Sequence, residues 1–366
     1  MSPPFRADHI GSLLRPKNLT QAYRARGEGK LSLAAFKKAQ DEAVREIVAL
    51  QEKLGLKVVT DGEFRRASYW SHWIDAIEGL SVGESLFKFH DERGSEQTFI
   101  CPVCRGKLKK VAPISTEEFK FLKSVAKGEP KVTMPSPSTF HFWRGKRGLE
   151  GSPYKDAAAF FDDLCAIYRQ EISDLAALGC RYVQLDEVAL IMLGDPEIRA
   201  KVKAQGEDPD ALTALYVKAM NDAVKDRPKG VTAAMHICRG NFKGKWMAEG
   251  GYDLIAERVF KEVDVDAFCL EYDTPRAGDF KPLAHVPKGK TVVLGLVSTK
   301  TPALESADGL VERIEEAAKY VPKEHLCLSP QCGFASTVAG NPVTLEDEQK
   351  KLGLVVEVAK KVWGAP

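Results

Sequence analysis

The hydrophobic and polar residues of this chain follow two patterns that alternate along it. Residues 31–56 and 156–180 carry apolar side chains at three- and four-residue spacing, which predicts amphipathic α-helices. The short segments that follow them, 57–63 and 181–188, begin with apolar residues and predict β-strands. The alternation of helix and strand predicts an α/β fold.

The same alternation continues along the chain and brings the number of predicted strands to eight. They lie at 6–12, 57–63, 131–138, 181–188, 231–238, 265–273, 291–297 and 325–332. Strands separated by helices pair in parallel, because each helix returns the chain to the same end of the sheet. Eight such units favour a single (β/α)8 barrel of the TIM type over an open doubly wound sheet, with 1–366 as one domain.

The predicted strands are apolar where they begin and polar where they end, as in "HIGS", "TDGE" and "QLDEV". In a barrel, the carboxyl ends of the strands form one rim, and functional residues gather there. Residues 64–130 do not fit one strand–helix unit, and 94–113 within them predict an inserted hairpin near the rim. The polar strand ends are therefore the candidate site.

Composition narrows the class of protein. The chain has 366 residues, 44% hydrophobic and 28% charged, which is typical of a globular protein. Its 53 Lys and Arg residues nearly balance 51 Asp and Glu residues, so we expect no nucleic-acid partner. We also expect no membrane association, because the sequence shows neither a membrane-spanning apolar run nor a signal-peptide core. A cytoplasmic location follows as an expectation, with the eight cysteines reduced.

Two metal-ligand side chains, His236 and Cys238, stand two positions apart at the end of a predicted strand. Residues i and i+2 of a strand share a face, so both side chains point the same way. Glu271 and Cys332 end two further predicted strands, and a barrel would bring all four together. One imidazole, two thiolates and one carboxylate suit Zn²⁺ better than Mg²⁺ or Ca²⁺. The alternative is that the cysteines are plain core residues, and Cys269 shares a strand face with Glu271.

A rival metal site is "CPVC", with Cys101 and Cys104. A zinc ribbon needs a second pair of ligands, and no further C-x-x-C occurs in the chain. A redox role is disfavoured, because the motif continues into "RGKLKK" and no helix follows it. We therefore predict that this motif is a strand of the inserted hairpin.

Carboxylates form the other polar cluster, at 61–63 and at 186–187. Strand alternation prevents Asp186 and Glu187 from both facing a ligand. A carboxylate at the rim can bind a substrate ammonium group through charge-assisted hydrogen bonds. The alternative is pairing with the arginines at 65–66. The nearby aromatic stretch 68–73 is compatible with a pocket wall or with plain packing.

Six motifs, in chain order, resemble those of the catalytic barrel of cobalamin-independent methionine synthase. They are "HIGS", "TDGE", "QLDEV", "HIC", "LEYD" and "SPQCG". Each is short, but their order along the predicted strands is specific, and the resemblance covers essentially the whole chain apart from the hairpin. The fold it implies is a single zinc-bearing barrel.

The resemblance implies a methyltransferase of methionine biosynthesis, of the 5-methyltetrahydropteroyltriglutamate–homocysteine type. It implies that zinc is held by His236, Cys238, Glu271 and Cys332. It also implies a thiol substrate such as homocysteine, bound as a thiolate that attacks an electrophilic methyl carbon. Glu271 is the candidate exchangeable ligand, because a closed four-ligand shell is structural.

The same resemblance assigns the substrate groups. By motif match, Ser12 would hold the carboxylate of an amino-acid thiol, and Glu63 and Asp186 would hold its ammonium group. The expected partners are therefore a small-molecule thiol and a methyl donor, which could be a folate, a corrinoid or another compound.

The chain departs from the family pattern in three ways. Full-length members resemble two fused barrels, whereas this chain has only the catalytic one. Pro137 replaces the tryptophan that packs against the folate, and Lys300 replaces a histidine that is the candidate proton donor. Lys300 becomes a weak candidate for that role, and both the donor and the source of the proton remain open.

Three other functions stay open on the sequence. One is alkyl transfer to another thiol, as in epoxide:coenzyme M transferases, although Glu63 and Asp186 favour an amino-acid thiol. Another is a non-catalytic barrel that stores or senses zinc. The last is a metal-free lyase of the decarboxylase type that shares this barrel.

Overall fold

The computed structural model describes residues 4–366 of the chain. The helices are α1 (Lys17–Gly27), α2 (Leu33–Leu54), α3 (Ser71–Ala76), α4 (Thr116–Val125), α5 (Ala157–Ala177), α6 (Ala189–Met192), α7 (Pro196–Ala204), α8 (Pro209–Val224), α9 (Asp253–Glu262), α10 (Ala307–Ala317) and α11 (Leu345–Trp363). The strands are β1 (Val58–Val59), β2 (Ile77–Glu84), β3 (Ile100–Lys110), β4 (Glu129–Pro135), β5 (Tyr182–Glu187), β6 (Thr232–Ile237), β7 (Ala267–Glu271), β8 (Thr291–Val297) and β9 (Leu326–Pro330).

A curled parallel sheet organises the fold. Within the described residues it has seven strands, in the order β1-β4-β5-β6-β7-β8-β9. Apart from the first two residues of β4, each of these strands lies in a segment that the sequence predicted to be a strand, so the prediction of a parallel α/β sheet is confirmed. In the register, Asp186 of β5 pairs with His236 of β6, so their polar ends lie at the same edge.

The predicted first strand, 6–12, is not a strand of this sheet. It makes one isolated parallel bridge, between Ala7 and Leu328 of β9. On its other side, Gly11 accepts a hydrogen bond from Thr60 Oγ1 at 2.7 Å, and Leu13 N donates to the Gly62 carbonyl at 3.1 Å. This segment therefore contacts both edges of the sheet without forming a regular ladder.

The two long helices predicted from apolar spacing are present as α2 and α5. Ser32 caps α2 by accepting a hydrogen bond from Ala35 N, and Gly55 ends it in a left-handed conformation, with φ of 97°. Asp156 caps α5 in the same way, through Ala159 N. Within residues 4–366, no helix has both the length and the apolar character required to cross a membrane.

The region 64–130 contains an antiparallel strand pair. β2 pairs with β3, with Gly83 opposite Cys101 and Leu80 opposite Cys104. The predicted hairpin, 94–113, contains β3, but its partner strand begins earlier, at Ile77, so the pair spans a longer segment than predicted. Cys101 and Cys104 lie buried within β3, as predicted for a strand.

A buried polar network ties the N-terminal segment to the sheet interior. Lys131 Nζ donates to Asp8 Oδ1 at 2.7 Å and to Gln184 Oε1 at 3.0 Å, and both members of the Lys131–Asp8 ion pair are almost fully buried. Asp8 Oδ2 accepts a hydrogen bond from the Tyr182 hydroxyl at 2.8 Å. Because each buried charge has a partner, the protein interior tolerates this network, whereas an isolated buried charge would be strongly destabilising.

Candidate metal and substrate site

Three side chains from two distant parts of the sequence converge at the carboxyl ends of β6 and β9. One ligand atom each from His236, Cys238 and Cys332 lies within 4.8 Å of the other two, and all three residues are buried. The two Sγ atoms are 3.7 Å apart. No second group of this kind, with three or more such ligands, was found in residues 4–366. The pairing of His236 and Cys238 follows the strand alternation predicted from their spacing.

The imidazole of His236 is oriented by the neighbouring strand. Its Nδ1 donates to the carbonyl oxygen of Cys269, at 3.0 Å. Nε2 is buried and has no hydrogen-bond partner. A carbonyl that takes the Nδ1 proton leaves Nε2 with a free lone pair, which is how a metal-binding histidine is usually held. The second candidate on the neighbouring strand, Cys269, thus contributes its backbone and lies outside the thiol group.

The two thiol groups form a hydrogen bond with each other. The hydrogen bond from Cys238 lowers the pKa of Cys332 well below its usual range, and the same contact raises the pKa of Cys238. A thiolate and an adjacent thiol, facing an unpartnered imidazole nitrogen, form a soft donor set with room for a cation. The residues present therefore fit Zn²⁺, which prefers thiolate and imidazole ligands.

Glu271, the fourth predicted ligand, ends β7 but is not part of the 4.8 Å group. Its Oε2 accepts a hydrogen bond from Arg239 N at 2.7 Å, and its Oε1 lies 3.2 Å from Arg276 Nη2. Burial opposes ionisation, but Lys300 first and then Arg239 and Arg276 lower the pKa of Glu271 to about 2. The residue is an ionised carboxylate with cationic partners, and its role as a ligand stays a prediction.

Lys300, which replaces the family histidine, is buried behind this carboxylate. Its Nζ makes no hydrogen bond and lies 3.8 Å from Glu271 Oε1. It is absent from the residues that line the adjoining cavity. Pro137, at the other departure from the family, is buried in a short 3₁₀ helix, Pro137–Phe140, and does not line the cavity either.

A cavity of about 540 Å³ opens beside the thiols. This volume is within the usual range for small-molecule sites, about 300–1,000 Å³. The residues predicted to bind substrate and the three grouped metal-ligand candidates all line it: Ser12, Glu63, Asp186, His236, Cys238 and Cys332. The structure therefore brings six of the seven predicted binding residues to one cavity, with Glu271 as the exception.

The two predicted ammonium-binding carboxylates differ in their surroundings. Asp186 Oδ1 accepts a hydrogen bond from Gln184 Nε2 at 2.7 Å, and burial raises the pKa of Asp186 to about 7. Its neighbour Glu187 points away from the cavity and accepts a hydrogen bond from Ser138 Oγ at 2.7 Å. The prediction that Asp186 and Glu187 face different ways is confirmed.

Glu63 has a left-handed backbone, with φ of 60°, which is unusual for a residue other than glycine. Its Oε1 accepts from Thr133 Oγ1 at 2.7 Å and lies 3.6 Å from Arg66 Nη1. Its Oε2 is buried without a partner. The alternative of pairing with arginine thus accounts for one oxygen of Glu63 and leaves the other free.

The position of Ser12 depends on close packing against a glycine. A methyl group at Gly333 would lie 1.8 Å from Ser12 Oγ. Gly333 follows Cys332, so the loop after β9 positions a metal-ligand candidate and makes room for a substrate-binding candidate at once. The sequence motif "SPQCG" contains both features.

The outer part of the cavity is aromatic, which the sequence revealed only in part. Its rings belong to Tyr69, Trp70, Phe89, Phe99, Trp143 and Phe242. The predicted wall segment 68–73 contributes the first two, whereas Trp73 in the same segment is buried and stacks on Tyr168 at 4.0 Å. The other four rings come from segments in which no site residue was predicted, although Phe99 lies in the predicted hairpin 94–113.

The chain is similar to known proteins of one family. The profile of the family described as cobalamin-independent synthase, catalytic domain, matches residues 5–361. The uncharacterized protein YxjG of Bacillus subtilis is 42% identical, over 99% of this chain and 95% of the relative. Methionine synthase of Pyrococcus abyssi is 28% identical, over 89% of this chain and 85% of the relative.

A solved structure from Listeria monocytogenes, provisionally named a vitamin-B12-independent methionine synthase, has the same fold. It superposes with a TM-score of 0.75 and is 29% identical, and the match covers 100% of this chain and 99% of that one.

Proposed function

The chain belongs to the cobalamin-independent synthase catalytic-domain family, and from this premise we propose that it is a zinc-dependent methyltransferase that converts a thiol, most simply homocysteine, into a methyl thioether. The family supports activity of the methionine synthase type, and the relatives named above are consistent with it.

The observation that carries the proposal is that two kinds of binding group share one cavity. A His–Cys–Cys group lies at one end, and two buried carboxylates, Glu63 and Asp186, lie beside it. A cavity that only stored zinc would need the first and not the second. A metal-free lyase would need neither thiol.

His236, Cys238 and Cys332 would hold the zinc, with Glu271 as the fourth ligand. A bound zinc ion would keep a coordinated substrate thiol deprotonated at neutral pH, although the pKa of a free thiol is about 8.5. The carboxylate of Glu271 is ionised by its cationic partners, so it can alternate between the metal site and Arg276 as substrate enters.

The chain's own residues would then orient the substrate. The ammonium group of the amino acid would approach the free Oε2 of Glu63 and the carboxylate of Asp186. The Ser12 hydroxyl would donate a hydrogen bond to the substrate carboxylate. These contacts would leave the sulfur free to approach the two cysteines, which line the same cavity as the carboxylates. A sulfonate thiol such as coenzyme M has no ammonium group to use them.

We also infer that the curled sheet closes into an eight-stranded barrel. Residues 6–12 bridge the outer strands, through Ala7 to β9 and through Gly11 to Thr60 after β1. Closure by this segment brings Ser12 to the same rim as Cys332.

The test is methyl transfer by the purified, zinc-loaded chain. We expect homocysteine to be methylated with one of a panel of donors that includes methyltetrahydrofolate, methylcobalamin and S-methyl compounds, and coenzyme M to be a poor acceptor. Elemental analysis should find about one zinc per chain. Full zinc content without transfer to any thiol would favour the storage or sensor function, and absence of zinc would overturn the proposal.

A further inference from the structure

The Asp, Glu, Lys and Arg side chains that line the cavity of the proposed thiol site are all acidic. Its lining includes three carboxylates, from Glu63, Asp75 and Asp186, and no lysine or arginine among the described residues. Asp75 lies exposed on α3, near the aromatic part of the cavity, and makes none of the ion pairs found in residues 4–366. A donor that carries several carboxylates would find no cation among these lining residues, although Lys243 Nζ lies 5.3 Å from the ring centroid of Phe242, which lines the cavity.

Three of the aromatic rings that line the same cavity pack against one another in a row. The ring centroids of Phe89 and Phe99 are 5.0 Å apart, and those of Phe99 and Trp143 are 5.1 Å apart. Tyr69 and Trp70 complete the lining and are half-buried. Phe242 is left out of this group, because Lys243 Nζ already lies 5.3 Å from its ring centroid.

Aromatic rings with carboxylates nearby attract methylated cations. The face of an aromatic ring carries negative potential, and quaternary ammonium groups are bound in this way by aromatic cages. A methyl group on a positively charged sulfur or nitrogen is also the electrophile that a thiolate needs. The lining therefore matches both the charge and the reactivity of one class of methyl donor.

We propose that the methyl donor is a small onium compound, a methylsulfonium or a quaternary methylammonium, held by Tyr69, Trp70, Phe89, Phe99 and Trp143, with Asp75 near the entrance. This inference rests on the proposed function, since it names the donor for the same thiol.

The leaving group explains why a proton donor is dispensable in such a reaction. The lone pair of the thiolate sulfur forms the new S–CH₃ bond, and the pair of the broken C–S⁺ or C–N⁺ bond stays on the departing heteroatom. The products are two neutral groups, a thioether and a sulfide or tertiary amine, and no proton is transferred to the leaving group. This scheme requires no proton from Lys300, which does not line the cavity.

Binding provides a test that is independent of turnover. Titration calorimetry on the zinc-loaded chain would compare choline with its uncharged analogue, in which carbon replaces the nitrogen. We expect choline to bind about 30-fold more tightly, as a desolvated cation–π contact would give. Equal affinity for the two would overturn the inference, whatever the activity.

Two tryptophan variants form a matched pair. Trp70→Leu should weaken choline binding about tenfold and raise the KM for S-methylmethionine, with zinc content and homocysteine affinity unchanged. Trp363→Leu should change none of these, because Trp363 lies at the end of α11 and donates to Lys323 O at 3.0 Å, outside the cavity. If Trp70→Leu binds choline as the parent chain does, the aromatic assignment is wrong.

Transfer assays then distinguish a sulfonium donor from an ammonium donor. They also test the onium donor separately from the proposed thiol methyltransferase function. Turnover with S-methylmethionine assigns a sulfonium, and turnover with glycine betaine assigns an ammonium. Turnover with methyltetrahydrofolate triglutamate and with neither cation would overturn the onium donor and leave the thiol methyltransferase standing. If the purified chain contains no zinc and methylates homocysteine with none of these donors, the proposed function is wrong, and so is the proposed onium donor.

Discussion

The Sγ atoms of Cys238 and Cys332 lie 3.7 Å apart, although 94 positions separate the two residues in the sequence. One follows β6 and the other follows β9, on strands that are separated in the sheet by β7 and β8. Strands that are not neighbours can bring their ends this close only if the sheet curls. The contact therefore joins the shape of the sheet to the proposed metal site.

Removing either thiol should remove the metal. We expect Cys238→Ser or Cys332→Ser to lose most of the zinc, because the affinity of the site depends on soft thiolate ligands. Elemental analysis of the purified variants measures this. Cys101→Ser is the control, because Cys101 is equally buried but lies in β3, outside the ligand group. Loss of zinc from the control alone would move the metal to "CPVC".

Asp186 should distinguish thiols by their ammonium group. We expect Asp186→Asn to weaken homocysteine binding about ten- to a hundredfold, since a hydrogen bond to a charged group contributes roughly 1.5–3 kcal/mol. Binding of 4-mercaptobutanoate, which lacks only the ammonium group, should change much less. Calorimetry with both thiols gives the comparison. An equal loss for the two would assign Asp186 to the structure of the sheet.

A methyl group at Gly333 should disturb Ser12. Gly333→Ala places its Cβ 1.8 Å from Ser12 Oγ, so the serine side chain must turn away. We expect the KM for homocysteine to rise about tenfold, the effect of losing one hydrogen bond to a carboxylate, while zinc is retained. Gly353→Ala on α11 is the control, because nothing lies within 4 Å of the added carbon. An unchanged KM in Gly333→Ala would remove Ser12 from substrate binding.

The Lys131–Asp8 ion pair should be costly to break. Lys131→Met leaves the buried Asp8 carboxylate without its cation, and we expect a loss of about 3–5 kcal/mol in the free energy of unfolding. Chemical denaturation measures it. Lys261→Met removes an exposed helical ion pair with Glu257 and should cost less than about 1 kcal/mol. Similar losses in both variants would mean that the buried ion pair contributes no more to the free energy of unfolding than the exposed one.

Glu348 should make stability depend on pH. Burial raises its pKa from 4.5 to about 8 in the folded chain, where its Oε2 accepts a hydrogen bond from Leu14 N at 2.7 Å. The folded state therefore holds a proton that the unfolded chain has released. This contribution to stability is complete below about pH 4.5 and is lost as the pH rises towards 8.

Glu348→Gln should remove that dependence, because glutamine has the shape of the protonated acid and does not ionise. Its unfolding free energy, measured by denaturation at several pH values from 5 to 8, should fall less with pH than that of the parent chain. Glu357→Gln, at an exposed position of the same helix, should follow the parent profile. Parallel profiles for Glu348→Gln and the parent would show that the carboxyl group does not hold the extra proton.

Local sequence patterns predicted the strands of the parallel sheet and the directions of the side chains at the strand ends. Apolar spacing predicted α2 and α5, and the polar ends of the predicted strands identified the site. Local alternation was sufficient to place His236 with Cys238 and to turn Glu187 away from Asp186. These features depend on residues one to four positions apart, whose relative directions are set by backbone geometry.

The surroundings of those side chains depend on long-range contacts that are seen only in the folded chain. The contact of Arg239 with Glu271, the packing of Gly333 against Ser12 and the approach of Trp143 to Phe99 join segments that are far apart in the chain. The irregular N-terminal segment is a further case: its apolar-to-polar pattern predicted a strand, yet it makes one bridge and a buried ion pair with Lys131. Such contacts depend on how strands and loops pair over long range, and the periodicity of a single segment contains no information about its distant partner.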